Sequence, residues 1–134
     1  DIDKLEAVQH RATRMISGMA KYPYEERLRR LDLPSLVYRR TRRDAIEVYK
    51  YMHGIYKTDY QIILPLHKSA GMSTRGNSMK LKKQASNTQL RSNFFSLRVV
   101  NMWNNLPEDV VNAPSVNCFK GRFDRYCYSM KFAV

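Results

Sequence analysis

Apolar residues recur at helical intervals through most of the chain. In DIDKLEAVQHRATRMISG, Leu5, Val8, Ala12 and Met15 are separated by three, four and three positions, a spacing that aligns them on one helix face. Asp3 followed by Glu6 reads as a capping box and Gly18 as the stop. His10, Arg11 and Arg14 fall on the other sides, so the pattern predicts an amphipathic helix with a basic back. A second, shorter helix is predicted to start at Pro23, with Glu25 and Glu26 at the positive end of its dipole, and to end at Pro34. Its stripe is Tyr24, Leu28 and Leu31.

The longest helix is predicted over 35–53, capped by Gly54. Tyr38, Thr41, Ala45, Val48, Tyr49 and Met52 share one arc, while Arg39, Arg40, Arg43 and Lys50 project opposite and Arg42 lies on the flank. Arg40 stands four residues before Asp44 and Arg43 four before Glu47, so both pairs are expected to form along the helix.

Helical periodicity then lapses. HKSAGMSTRGNSMKLKKQASNTQLRSN is rich in Gly, Ser and Asn, which predicts an extended basic loop or a short β-hairpin around residues 74–95. The alternation of Met79 and Leu81 with Lys80 and Lys82 is its strand signal. Periodicity returns in FFSLRVVNMWNNLP, where Phe95, Val99, Met102 and Trp103 form a stripe, and in SVNCFKGRFDRYCYSM, where Ser115 suits an N-cap and Phe119, Phe123 and Tyr126 form another. The expected fold is mainly α: one domain of about five helices, with N-terminal helices in 1–58, a basic loop or hairpin in 59–93 and C-terminal helices in 94–134. Trp103 and Phe119 are the expected packing centre.

Composition adds two points. A chain of 134 residues, 43% of them hydrophobic, is long enough to bury a core without cross-links. Cys118 and Cys127 lack the close spacing of a metal or redox pair and are expected to be buried or half-buried thiols. The charge is more informative: 24 Lys and Arg against 12 Asp and Glu give +12, which draws polyanions. No apolar run long enough to span a membrane and no secretory h-region occurs. The expectation is an intracellular chain, nuclear or cytoplasmic, with no membrane partner.

Catalytic patterns are missing. Carboxylates are not grouped for divalent metal, His10, His53 and His67 have no ligand-spaced partners, and no P-loop or nucleophile elbow occurs. The expectation is a protein that is not an enzyme and carries no cofactor.

Four blocks carry a resemblance: LEAVQHRATRMI, YEERLRRLDLPSLVYRRTRRDAIEVYKYMHG, TRGNSMKLKK and FFSLRVVNMWNNLPEDVVNAPSVNCFKGRFD. In this order, from Leu5 to Asp124, they resemble the C-terminal segment of the reverse transcriptase polyprotein of non-LTR (LINE-type) retrotransposons of the jockey-like kind. The resemblance implies a thumb or post-thumb helical region that holds template RNA or target DNA beside a polymerase whose catalytic aspartates, like the endonuclease, lie outside this chain. Asp32 stands where that family usually has glycine, Asn77 where it has histidine, and Cys127 near a usual tryptophan.

Two basic groups are candidate contacts to an RNA or DNA backbone. Between Gln61 and Pro107 no carboxylate occurs, which favours Arg75, Gly76, Asn77, Lys80, Lys82, Lys83 and Arg91, with Gly76 admitting close backbone approach. Arg39, Arg40 and Arg43 form a supporting rim on the long helix, and Tyr51, off the apolar arc, is the aromatic candidate for base stacking. The expected function is a non-catalytic nucleic-acid-binding auxiliary domain. The alternative is a protein-interaction scaffold that packs on the rest of a reverse transcriptase or serves a host complex.

Overall fold

The computed structural model describes residues 2–57, 64–66 and 76–134. Among them the helices are α1 (Ile2–Met15), α2 (Tyr24–Arg30), α3 (Leu36–Met52), α4 (Gln89–Ser92), α5 (Phe95–Asn104), α6 (Glu108–Val111) and α7 (Val116–Tyr126), followed by a 3-10 turn, Tyr128–Met130. The mainly helical expectation holds. The chain forms two compact units: Asp1–Arg42 with Asp124–Val134, and Arg43–Phe123. The final eleven residues belong to the first unit.

In the first unit, α1 packs with the face opposite to expectation. Thr13 is buried and Ile2, Glu6 and Gln9 are half-buried beside it, whereas Leu5, Val8 and Met15 are 60%, 55% and 86% exposed. The cause is polar demand from the segments that follow it, Tyr24 to Leu36. Glu6 accepts from the Tyr24 hydroxyl at 2.5 Å and from the Leu36 amide at 2.8 Å, and Gln9 Nε2 donates to the Pro34 carbonyl at 3.2 Å. Glu6 is thus spent on tertiary bonds rather than on the capping box expected with Asp3. Burial, with Glu6 adding to it, pushes the Tyr24 hydroxyl up to about 12, so it remains a donor.

Arg27, only 3% exposed, meets no carboxylate among the described residues. Its guanidinium donates instead to Thr13 Oγ1 (3.2 Å), the Tyr22 carbonyl (2.7 Å) and the His10 carbonyl (3.2 Å). A buried cation is tolerated when it is hydrogen-bonded, and here each of its three nitrogens donates to an oxygen. Buried Ser35 caps α3, its Oγ accepting from the Tyr38 amide at 3.2 Å, while its own amide donates to the Lys131 carbonyl at 3.0 Å. Asp32 takes a left-handed conformation, φ +46°, accessible to Asp because its short side chain bonds locally. Lys131 Nζ reaches its carboxylate at 2.7 Å.

The second unit has an aromatic centre, as expected. Trp103, Phe119 and Phe123 are fully buried, with Tyr49 beside them. The Tyr49 and Phe119 rings stack at 4.6 Å, and Phe119 lies 6.0 Å from Trp103. The Tyr49 hydroxyl donates to the Ala113 carbonyl, and Trp103 Nε1 donates to the Met79 carbonyl at 2.9 Å. Ala45, Val48 and Met52 of α3 join this core. Both cysteines are free thiols, Cys127 buried and Cys118 half-buried. Tyr126, expected on the stripe of the last helix, is instead 50% exposed.

Of the two forms expected around 74–95, a basic loop or a hairpin, the described residues form no hairpin and run irregularly over 82–86. An isolated antiparallel bridge pairs Leu81 with Leu66, Lys82 donating to the Pro65 carbonyl at 2.7 Å. The physical reason is competition from α5 and its C-terminal end. Asn104 accepts from the Leu81 amide at 2.7 Å and donates to the Leu81 carbonyl at 2.9 Å, so side chains take the backbone groups that a hairpin partner would use.

Candidate nucleic-acid interface

The basic segment enters the second unit through Asn77, which is 3% exposed. Its Nδ2 donates to the carbonyls of Trp103 and Leu106, both at 3.0 Å, and its Oδ1 accepts from the Met79 amide at 3.0 Å. Asn77 is therefore a buried strut tying the segment to the end of α5, which corrects its assignment as a nucleic-acid contact. Gly76 is exposed. Its φ is +110°, a conformation that L side chains rarely adopt, and a Cβ placed there would lie 2.7 Å from Lys80 Cε and 3.0 Å from Lys80 Nζ, the flexible end of that side chain. Arg75 lies outside the described residues.

The segment is acid-free in sequence but not in space. Glu108, the first carboxylate beyond it, accepts from the Ser78 amide at 2.6 Å and from its hydroxyl at 2.5 Å, and also from the Asn112 side chain. The Ser78 hydroxyl first, then its amide, hold the Glu108 carboxyl below its usual value. Beyond this anchor the backbone is irregular, and Lys82 and Lys83 are exposed with no ion pair among the described residues. Arg91, exposed on α4, likewise has no side-chain partner among them; its amide is held by the Thr88 cap at 3.2 Å.

The arginines of α3 divide into two kinds. Arg42 pairs with Asp124. Arg39 and Arg43 are exposed, Arg40 is half-buried, and none has an ion-pair partner among the described residues. The expected pairing of Arg40 with Asp44 and of Arg43 with Glu47 is replaced. Arg98 grips Asp44 through two bonds of 2.8 and 2.9 Å, and Glu47 accepts from the Tyr56 hydroxyl at 2.8 Å and from Lys50. Local spacing yields here to partners supplied by other elements.

Tyr51, the aromatic candidate, is half-buried, its ring 4.9 Å from Tyr56 and 6.4 Å from Phe95. The exposed rings lie elsewhere. Phe94, at the N-cap of α5, is 58% exposed, three residues after Arg91, whose carbonyl accepts from its amide at 3.1 Å. The apolar stripe of α5 hides this ring from sequence reasoning, since Phe95, its neighbour, carries the helical register. In the first unit, Tyr128 flanks a cleft of about 310 Å³ lined also by Tyr38, Arg39, Arg42, Asp124 and Lys131.

No group of three or more potential metal ligands occurs among the described residues. No helix among them is long and apolar enough to cross a membrane. Comparison with protein-family models, with curated proteins and with solved structures gave no match.

Proposed function

We propose that this chain is a non-catalytic nucleic-acid-binding domain that grips the backbone of RNA or DNA, as an auxiliary segment of a non-LTR reverse transcriptase would. The observation that carries this reading is how the carboxylates are used. Glu25, Glu26, Asp32, Asp44, Glu47 and Asp124 form ion pairs, and Glu6 and Glu108 hold backbone amides. Lys82, Lys83, Arg91, Arg39, Arg40 and Arg43 meanwhile have no ion-pair partner among the described residues. These six cations are exposed or half-buried on a chain whose net charge is +12, the arrangement that favours a polyanion. The four blocks resembling the retrotransposon segment support the same reading.

The test is fluorescence anisotropy with a labelled single-stranded RNA and a duplex DNA across a salt series. Binding through phosphates falls steeply as salt rises, with a slope in log–log form of about −0.7 per phosphate contact on a single strand and about −0.9 on duplex DNA. Absence of binding at low salt, or affinity independent of salt, would overturn the reading.

A further inference from the structure

Tyr128 stands clear of the first unit. It is 67% exposed, and its side chain has no partner among the described residues. Cys127 before it is buried, so the 3-10 turn directs the tyrosine outward. That turn is held in place: the Met130 amide donates to the Cys127 carbonyl at 2.9 Å, and the Ser35 amide donates to the Lys131 carbonyl at 3.0 Å. Tyr128 lines two clefts of the same unit. One, of about 310 Å³, it shares with Arg39, Arg42, Asp124 and Lys131; the other, of about 360 Å³, with Arg29, Asp32 and Phe132. We propose, resting on the nucleic-acid reading above, that these clefts form a subsite for unpaired nucleotides of a single strand, in which bases stack on Tyr128 and a phosphate meets Arg39.

Charge selects the cleft that takes the phosphate. In the first cleft the Asp124 carboxylate is occupied by Arg42 and Tyr38, whereas Arg39 is exposed and has no ion-pair partner among the described residues. The second cleft carries Asp32, whose carboxylate is 2.7 Å from Lys131 Nζ and whose side chain is 80% exposed, so it repels a phosphate and suits an uncharged base. Both clefts lie at the small end of ligand sites, which run from about 300 to 1,000 Å³, and match a monomer rather than a helix. A flat, unengaged ring beside an open guanidinium is the combination that holds unpaired bases without reading their sequence. Paired bases are already stacked on their neighbours and leave no face for the ring. An acidic peptide would satisfy Arg39 but offers no flat π-face to Tyr128.

The probes are a fluorescein-labelled oligothymidylate, an abasic strand with the same number of phosphates, and the oligothymidylate paired with its complement, each followed by anisotropy. The parent is compared with Tyr128→Ala and Tyr128→Phe, which alter an exposed position, so circular dichroism is expected to be unchanged. The parent and Tyr128→Phe are expected to bind the oligothymidylate about tenfold more tightly than Tyr128→Ala does, and all three to bind the abasic strand and the duplex alike. Arg39→Gln is expected to make the salt slope on the single strand shallower by about 0.7, the share of one phosphate; an unchanged slope would overturn the phosphate contact. Equal binding of the oligothymidylate by the parent and Tyr128→Ala, with a steep salt slope, would overturn the subsite and leave backbone binding standing. No binding of any strand by the parent would remove both. An equal loss of the abasic strand in Tyr128→Ala would also overturn the subsite, since the ring would then not be meeting bases. So would displacement of the oligothymidylate by adenosine monophosphate at equal concentration, which would make a free nucleotide the ligand, or displacement by polyglutamate that Tyr128→Ala escapes, which would make it an acidic peptide.

Discussion

Arg42 closes a two-pronged ion pair on Asp124, Nε to Oδ1 at 2.6 Å and Nη2 to Oδ2 at 3.0 Å, across eighty-two residues of sequence. Tyr38 donates its hydroxyl to the same Oδ1 at 2.8 Å. Partial burial pushes the Asp124 carboxyl up, but the bonds from Arg42 and Tyr38 outweigh it and leave the group below its ordinary value. A lowered carboxylate contributes stability that is present above its unfolded value, about 3.9, and is lost as pH falls through the folded-state value. Urea midpoints for the parent are expected to drop across that acidic window, and Asp124→Asn is expected to flatten the drop. Because both side chains are about a third or more exposed, the Arg42 to Asp124 coupling in a double-mutant cycle at pH 7 is expected to be about 1 kcal/mol.

The strut at Asn77 should be costly to alter. Asn77→Ala leaves the Leu106 carbonyl and the Met79 amide without their partner, while the Trp103 carbonyl keeps the Leu106 amide, and is expected to destabilise by roughly 1–3 kcal/mol. Asn77→Asp sets a carboxylate against two carbonyl oxygens and should cost more. Trp103→Ala removes the fully buried indole and is expected to cost about 3–5 kcal/mol. Denaturant titrations followed by far-ultraviolet circular dichroism check all three, and a parent-like midpoint for Trp103→Ala would refute the assigned core.

Glu108 is the clasp of the basic segment. Since its carboxyl is held below the ordinary value, the Ser78 clasp should persist above the usual carboxylate range and open as pH falls through the folded-state value. Hydrogen exchange at the Ser78 amide is the readout. Glu108→Gln is expected to raise that exchange rate at neutral pH and to remove its dependence on acid, with helical content unchanged.

The two basic groups can be ranked by their salt slopes. Lys82→Gln with Lys83→Gln should make the slope for a single strand shallower by about 1.4 if each lysine touches one phosphate. The loss should be similar across unrelated sequences, because phosphate contacts position without reading bases. Arg39→Gln with Arg43→Gln is expected to leave stability within about 1 kcal/mol of the parent, as exposed unpaired charges do, and to weaken binding less. The opposite ranking would make α3 the main contact surface.

What the sequence determined by itself was whatever rests on short-range regularity. The period of α3 placed Tyr38, Ala45, Val48, Tyr49 and Met52 in the core, Ser115 capped α7 by accepting from the Cys118 amide, and Trp103 and Phe119 were central. These follow from helical pitch and side-chain size, which are local properties. Tertiary structure decided the rest. It turned α1 so that Glu6 and Thr13 face inward and Leu5 and Met15 face out, because buried amides, a hydroxyl and a guanidinium needed oxygen partners more than an apolar stripe needed cover. It sent Asp44 to Arg98 and Asp124 to Arg42, and it buried Asn77 while leaving Lys82 and Lys83 exposed. Spacing along a helix shows which groups are within reach of one another, and it suffices for Glu25, Glu26 and Glu47, which pair three or four residues on. Asp44 and Asp124 go instead to an arginine that the fold brings up with two donors aligned, many turns away in the chain.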